Sequence, residues 1–559
     1  PPGEHALARS QMARLRIPPR STRPEAALHA VLRFADHRPA IGSPIVDTTL
    51  DLELQRDVTW QAQRVLEGWQ RRGAGNVAVL VVERGDGVPT VRAAVSSADY
   101  FAADGAGSID YLRVRRSSGS TLKPFLFAQA LDRGVVRPTT ILDDLERGAG
   151  GITNADNRFL GPMLPRFALG NSRNVPAANL LAAIGLDEGW AMLGQLGLAQ
   201  GHRSPERYGL GLTIGSLAVS LEDLVQAYGA LADDGVLHQL HWLADQPSVP
   251  GRRIFGESSA RQVTRFLADP QARLPSFPRQ GATEYGYPVA VKTGTSSRYR
   301  DAWTVAWSSR WMVGVWVGHP DNRPMTGLSG YRTAAALVHG VMDHLHPDAS
   351  QGLADVGFPQ PDGHREVAVC ALSGRRAGPA CGRVAAEALT SEAERATPPC
   401  SVHRLAAIDR RSGRLADHRT PRQEIELRAF TELPARYADW QARAGLPYPP
   451  RPAGIEAFGV GGEVPVRSPI ETRLTITSPE GDVHLLIDPE TPAALSSVAL
   501  AVDADPPPPQ ILWRVNGRPF ALADPPFRIR WPLDVGDHVV VAEDPRTGAR
   551  SAPVRIRVE

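Results

Sequence analysis

The sequence predicts a mixed α/β (α+β) domain followed by a small β-sandwich. Two changes of hydrophobic period predict it. Val77–Val82 is an unbroken apolar run and Thr90–Val95 a return strand. Three further strand patterns, Pro288–Val291, Ala302–Ser308 and Trp311–Val317, appear only after a long stretch of mostly helical spacing from about residue 111 to 245. Strands, many helices, then strands again describe a sheet with a helical insertion. From about residue 468 short strand patterns alternate with turn signals, as in a sandwich of about 90 residues and immunoglobulin-like size.

In chain order, residues 1–46 are rich in Arg, Pro and Ala and read as a linker, with a short helix at Ala6–Leu15. Leu54, Val58, Ala62 and Val65 recur at helical spacing within Leu52–Trp69. Gly85-Asp86-Gly87 supplies the hairpin turn between the first two strands. Leu217–Leu231 is amphipathic, with Leu217, Leu221, Leu224, Val225, Tyr228 and Leu231 on or near one face. A helix near Thr333–His344 closes the first domain, 47–348. Residues 349–467 read as an irregular connector that carries all three cysteines. In the sandwich, 468–559, the strands are Leu474–Ile476, Val483–Ile487, Val498–Val502, Ile511–Val515, Phe527–Trp531 and His538–Ala542. Pro479-Glu480-Gly481, Pro506–Pro509, Asn516-Gly517 and Val535-Gly536-Asp537 mark turns, and Trp513 is assigned to the core.

Composition narrows the function. The chain has 559 residues, enough for about three or four domains. Hydrophobic residues make up 42% and charged residues 22%, a globular balance that excludes disordered and collagen-like chains. No uninterrupted apolar run of about 18 residues is present, so no bilayer-spanning helix is expected. The formal charge is +2, which gives no support for a nucleic-acid partner. The chain opens on Pro1-Pro2, so it is expected to be a piece of a longer protein whose targeting segment lies outside it.

The chemistry is signalled by lysine. Only Lys123 and Lys292 occur, and every other basic side chain among the 62 is arginine. Arginine keeps its proton near neutral pH, whereas a desolvated lysine can lose it. Both lysines sit in short signatures. Ser120-Thr121-Leu122-Lys123 places a hydroxyl and an amine at i and i+3, on one face if a helix begins at residue 120. Serine needs a neighbouring base to act as a nucleophile, and neutral Lys123 can be that base. Lys292-Thr293-Gly294-Thr295 follows an apolar strand. Lys292 offers positive charge, Thr293 and Thr295 can bind a carboxylate, and Gly294 lets a substrate lie along the strand edge. The Thr295 and Ser120 N–H groups can complete an oxyanion hole. Between the two lies Ser172-Arg173-Asn174, in which Ser172 can relay a proton and Asn174 can orient Lys123 or a substrate amide. Asp301 is a further residue that can orient the site.

These three motifs, in this order, resemble the penicillin-binding, serine-transpeptidase superfamily. Thr48-Thr49-Leu50-Asp51-Leu52-Glu53-Leu54-Gln55, Val219–Tyr228 and Asp301-Ala302-Trp303 are similar to segments of its class A members, and the cysteine segment and C-terminal domain to the 1C subtype. The resemblance implies a central antiparallel sheet with a helical subdomain. It implies a D,D-transpeptidase that cross-links peptidoglycan stem peptides through a Ser120 acyl-enzyme and is acylated by β-lactams, with no cofactor. It further implies a periplasmic protein, held at the inner membrane through a missing N-terminal anchor, with cell-wall synthesis proteins as partners of the sandwich. No Glu-Asp-x-x-Phe type motif occurs, so glycan polymerisation is not expected. A D,D-carboxypeptidase, a β-lactamase-like hydrolase and a catalytically idle β-lactam sensor or scaffold share the same motifs. The fate of the acyl-enzyme separates them.

Cys370, Cys381, Cys400 and His403 fall in one segment. The leading reading is one disulfide plus one buried thiol, as in an exported protein. The alternative is a Cys₃His zinc site, favoured by the tight Cys400-Ser401-Val402-His403 pair. His339, His344 and His346 read as a solvent-facing helix end.

Overall fold

A computed structural model describes residues 27–34, 46–85, 88–146, 152–201, 204–347, 357–449, 473–479, 481–485, 497–505, 507–508, 510–545 and 548–559. The Ala6–Leu15 helix, Asp86-Gly87, Glu480, Pro506 and Pro509 lie outside the described residues. The chain divides into two compact units, Pro1–Ala377 with Arg383–Pro399, and Gly378–Gly382 with Cys400–Glu559.

The first unit is built on five strands: β1 (Asn76–Glu83), β2 (Thr90–Val95), β3 (Ala290–Thr295), β4 (Asp301–Trp307) and β5 (Trp311–Gly318). They form one antiparallel sheet in the order β2-β1-β5-β4-β3. Side chains alternate across a strand, and both faces here are apolar. Val77, Val79 and Val81 of β1 join one core, and Ala78, Leu80 and Val82 join the other. That double burial is why the strands read as continuous apolar runs.

Helices cover both faces. On the first, α1 (Leu52–Gln70) lays Leu54, Val58, Ala62 and Leu66 against the sheet beside α6 (Ala334–Leu345), which contributes Leu337, Val338 and Val341. Asp51 starts α1 by accepting the N–H groups of Glu53 and Leu54 at 3.0 and 3.1 Å. The opposite face carries the helical insertion: α2 (Lys123–Asp132), α3 (Asn174–Ile184), α4 (Leu221–Ala232) and α5 (Glu257–Ala268). Phe125, Leu221, Val225 and Tyr228 pack there with Leu80, Trp303, Trp307 and Trp316.

Two boundaries differ from the sequence reading. α4 begins at Leu221 rather than Leu217, because Ser220 accepts the Asp223 N–H at 3.1 Å and Ala218–Val219 pairs with Arg116–Ser117 as a short ladder. β3 extends through the second lysine motif, pairing Lys292 with Val305 and Gly294 with Trp303. Glycine at that position weakens a strand pattern read from sequence alone.

Two hairpins form inside the segment expected to be irregular. β6 (His364–Cys370) and β7 (Val384–Thr390) belong to the first unit. There the fully buried Glu387 accepts two bonds from Arg166 at 2.9 and 3.0 Å. β8 (His403–Asp409) and β9 (Ile425–Thr431) belong to the second.

The remaining strands of the second unit are β10 (Arg473–Ser478), β11 (Val483–Leu485), β12 (Ser497–Asp505), β13 (Ile511–Val515), β14 (Arg518–Ala523), β15 (Arg528–Pro532), β16 (Gly536–Glu543) and β17 (Val554–Val558). They make a three-stranded sheet, β10-β12-β15, and a five-stranded sheet, β11-β17-β16-β13-β14. Leu474, Leu500 and Trp531 from the first share a core with Trp513, Val540 and Ile556 from the second. β14 and β17 are absent from the sequence reading. Asn516-Gly517 joins β13 to β14 with both φ angles positive, at 52° and 76°, as a tight hairpin requires. β14 is an edge strand, which is where Pro519 is tolerated.

Candidate active site

The first motif sits at the start of the buried helix α2. Ser120 lies in the turn before it, not in its first turn, and Lys123 opens the helix with Pro124 behind it. Residues 123–130 are all buried, so α2 is fixed on every side. Tyr228 donates its hydroxyl to the Thr121 carbonyl at 2.7 Å and Trp303 its indole N–H to the Ser117 carbonyl at 2.8 Å, holding the turn.

Two glycines let this turn meet β3. A Cβ on Gly119 would lie 2.6 Å from the Thr295 nitrogen and 2.7 Å from its carbonyl oxygen, and Gly119 has a φ of +55°. A Cβ on Gly294 would lie 2.6 Å from Thr121 Cγ2 and 2.9 Å from the Ser118 carbonyl oxygen. Only residues without a side chain permit this approach. β3 is an edge strand of its sheet. Ser296 N–H points inward, donating to the Asp301 carbonyl at 2.9 Å. Backbone groups alternate sides along a strand, so the N–H groups of Thr293 and Thr295 face the open edge. The Thr295 hydroxyl oxygen accepts the Gly330 N–H at 2.9 Å.

The two lysines converge on Ser172. Lys123 Nζ donates to the Ser172 carbonyl at 2.6 Å and to Asn174 Oδ1 at 2.5 Å. Lys292 Nζ donates to Ser172 Oγ at 2.8 Å and to the Thr293 carbonyl at 2.6 Å. Ser172 takes a left-handed φ of +56°, uncommon for a residue with a Cβ, and so presents its carbonyl to one lysine and its hydroxyl to the other. Both amines are buried. Desolvation pushes Lys123 well below the ordinary lysine value, helped by the charges of Lys292 and Arg173 and opposed by Asp144. Desolvation brings Lys292 from 10.5 to about 7.

A neutral amine has two N–H bonds and one lone pair. At Lys123 the Ser172 carbonyl and Asn174 occupy both bonds, leaving the lone pair to accept a proton. A protonated Lys292 spends two of its three bonds on Ser172 and Thr293, leaving one for an anion.

Arg173 and its partners form the support that sequence reasoning missed. Its guanidinium bonds Asp144 Oδ2 at 2.8 Å, Asp156 Oδ2 at 2.9 Å and the Arg158 carbonyl. Asn154 donates to Asp144 Oδ1 at 2.7 Å and accepts the Asn174 N–H at 2.8 Å, supplying the missing partner at the start of α3. Asp144 and Asn154 stand in no motif, so nothing in the sequence pattern marks them. The Arg173 and Asp144 side chains are 3% and 0% exposed. Arg173→Leu strands a buried carboxylate and is expected to destabilise the first unit by roughly 3–5 kcal/mol. A urea titration measures it; an unchanged midpoint contradicts the assignment.

Asp301, the candidate orienting residue, is buried behind β3. Its carboxylate accepts from Ser296 Oγ at 3.0 Å and from the Trp316 indole N–H at 3.1 Å, which fixes the end of the strand.

Residues 90–342 match the family described as penicillin binding protein transpeptidase domain. Over those residues the chain is similar to a penicillin-binding protein transpeptidase domain. Among its relatives, penicillin-binding protein 1C of Escherichia coli is 34% identical over 306 residues, 54% of this chain and 38% of that protein. Penicillin-binding protein 1A/1B of Bacillus subtilis is 25% identical over 371 residues, 60% of this chain and 38% of that protein. The chain thus spans little more than a third of these relatives' length. Among solved structures, penicillin-binding protein 1A from Haemophilus influenzae has a TM-score of 0.47 at 18% identity, covering 59% of this chain and 54% of that one. PonA1 from Mycobacterium tuberculosis, in complex with penicillin V, has a TM-score of 0.47 at 21% identity, covering 60% and 94%.

The first unit brings Ser120, Lys123, Ser172, Asn174, Lys292, Thr293, Gly294 and Thr295 to one place, from the α2 turn, the α3 start and the β3 edge. Cys370 ends β6 in the first unit, and Cys381, Cys400 and His403 belong to the second. No helix among the described residues is long and apolar enough to cross a membrane.

Proposed function

We propose that the domain is a peptidoglycan D,D-transpeptidase acting through a Ser120 acyl-enzyme. The observation that carries this reading is the meeting of two buried lysines on the two oxygens of Ser172, beside a serine turn seated on an open strand edge. A stem peptide lies along β3 as an added strand. Its terminal carboxylate meets the free N–H of Lys292 and the hydroxyls of Thr293 and Thr295. Ser120 Oγ attacks the penultimate D-alanine carbonyl while its proton passes to Lys123. The Ser120 and Thr295 N–H groups receive the developing oxyanion, a contribution of about 10²–10³ in rate per donor. The C–N bond then breaks, and the departing D-alanine takes a proton from Ser172, which Lys123 restores. An amine from a second stem attacks the ester and gives up one proton to the same pair, which returns it to Ser120 Oγ as the C–O bond breaks. Gly294 keeps the strand close to the nucleophile, and Asn174 holds Lys123.

The C-terminal unit reads as an immunoglobulin-like sandwich, a docking module for cell-wall synthesis proteins. The reading places the domain in the periplasm.

Incubation with a D-Ala-D-Ala pentapeptide and an amine acceptor tests the reaction. Released D-alanine with a cross-linked product supports it. D-alanine released with only hydrolysed peptide favours a carboxypeptidase, and no release at all contradicts acyl transfer.

The lysine chemistry predicts a pH profile. Lys292 carries its charge below about 7 and loses it above. The acylation efficiency of a carboxylate-bearing β-lactam reports groups on the free enzyme. It is expected to fall as pH rises through about 7. Stability changes in the opposite sense. Between about 7 and 10.5 the unfolded lysine binds a proton that the folded one does not, so stability rises with pH across that window. An efficiency that stays flat from about pH 6 to 9 removes the Lys292 charge from recognition.

A further inference from the structure

Outside the transpeptidase domain, Cys381, Cys400 and His403 of the second unit gather their ligand atoms within 4.8 Å of one another. We infer that Cys381, Cys400 and His403 ligate a zinc ion that staples the base of the β8–β9 hairpin.

The distances suit the ion. Tetrahedral zinc, with Zn–S near 2.3 Å and Zn–N near 2.0 Å, holds its ligands about 3.5–3.8 Å apart. Cys400 Sγ and His403 Nδ1 are 3.4 Å apart. Cys400 and His403 are separated by Ser401-Val402, a spacing that lets one turn supply two ligands. The Val402 carbonyl is held by the Glu432 N–H at 2.8 Å, which fixes that turn against the strand opposite. The third ligand comes from a second tight turn, in which the Cys381 N–H bonds the Gly378 carbonyl at 3.0 Å. The Gly378 N–H in turn points at Cys381 Sγ from 3.4 Å. An N–H aimed at sulfur favours the thiolate, the form that binds metal. A further donor completes the tetrahedron.

The hairpin needs such a staple. β8 and β9 bury little: Leu405 is 45% and Leu427 67% exposed. A small element without a core of its own is held by a metal or a disulfide. His403 is the first residue of β8, paired with Thr431 at the end of β9, so the ion would close the hairpin at its open end. On binding, each ligating thiol gives its proton to solvent and His403 binds as the neutral ring, with no change of oxidation state.

The test uses the full chain, purified without chelator and analysed for metal by plasma mass spectrometry. About one zinc per chain is expected, lost in Cys400→Ser and in His403→Ala. If either variant fails to fold by circular dichroism, the wild-type chain answers alone. Stepwise thiol modification with a mercurial should then release its zinc to a chromogenic chelator as Cys381 and Cys400 react. A wild-type chain without zinc that binds none on addition, or a disulfide joining Cys381 to Cys400 in the non-reduced peptide map, overturns the inference. Zinc retained at full occupancy in both variants overturns it as well.

Discussion

Lys123→Arg is expected to lower the rate of Ser120 acylation by roughly 10²–10⁴, the range by which a positioned base accelerates proton transfer. The substitution preserves positive charge and removes basicity. Lys123 is fully buried, and desolvation holds it well below its ordinary pKa, which favours the neutral amine with its lone pair. Guanidinium cannot be deprotonated in this pH range, so the variant carries an obligatory charge into a site that disfavours it. Part of the loss could then come from strain on the fold. Lys123→Met separates the two effects, since it removes the base and adds no charge. Loss of acylation in both variants, with near-native melting in the second, assigns the defect to the missing lone pair. Acylation within about tenfold of wild type in either variant would sink the assignment of Lys123 as the base.

Gly119→Ala is expected to be the second severe lesion, though residue 119 touches no substrate in the proposed mechanism. Its added Cβ would stand 2.6, 2.7 and 2.8 Å from the nitrogen, oxygen and carbonyl carbon of Thr295. All three atoms are backbone of a strand paired along its length to β4, so none can swing aside. A φ of +55° adds strain for any residue with a Cβ. Relief requires the serine turn to lift from β3, which moves the Ser120 and Thr295 N–H groups apart. Misplacing one oxyanion donor costs about 10²–10³ in rate. The rate of β-lactam acylation should fall by that order while the pre-acylation dissociation constant changes much less. A variant with native acylation shows that the turn and strand need no such contact.

Much of the first unit was legible because its sheet is buried on both faces. β1, β2, β4 and β5 read as apolar runs, and α1 and α6 as periodic stripes. β3 was less legible because Lys292 and Gly294 interrupt the apolar pattern. The start of α4 was misplaced because Leu217, buried in the same core as Leu221 and Leu224, extends the helical stripe without being helical. Within the site, the lysines stood out through the absence of others in the chain. Ser172 was found through its motif, but its left-handed backbone, which joins the two lysines, has no sequence signature outside glycine. Asp144 and Asn154 act through contacts between distant turns, and short-range spacing carries no trace of these. In the second unit, β14 was hidden by Pro519 and by the outward-facing Phe520 and Leu522, which are 40% and 57% exposed.

The most direct test of the central claim is the intact mass of the protein after incubation with benzylpenicillin, with peptide mapping of the product. A one-to-one covalent adduct on Ser120, lost in Ser120→Ala, is the predicted result. An unmodified protein with the drug left intact, or an adduct on any residue other than Ser120, would contradict it.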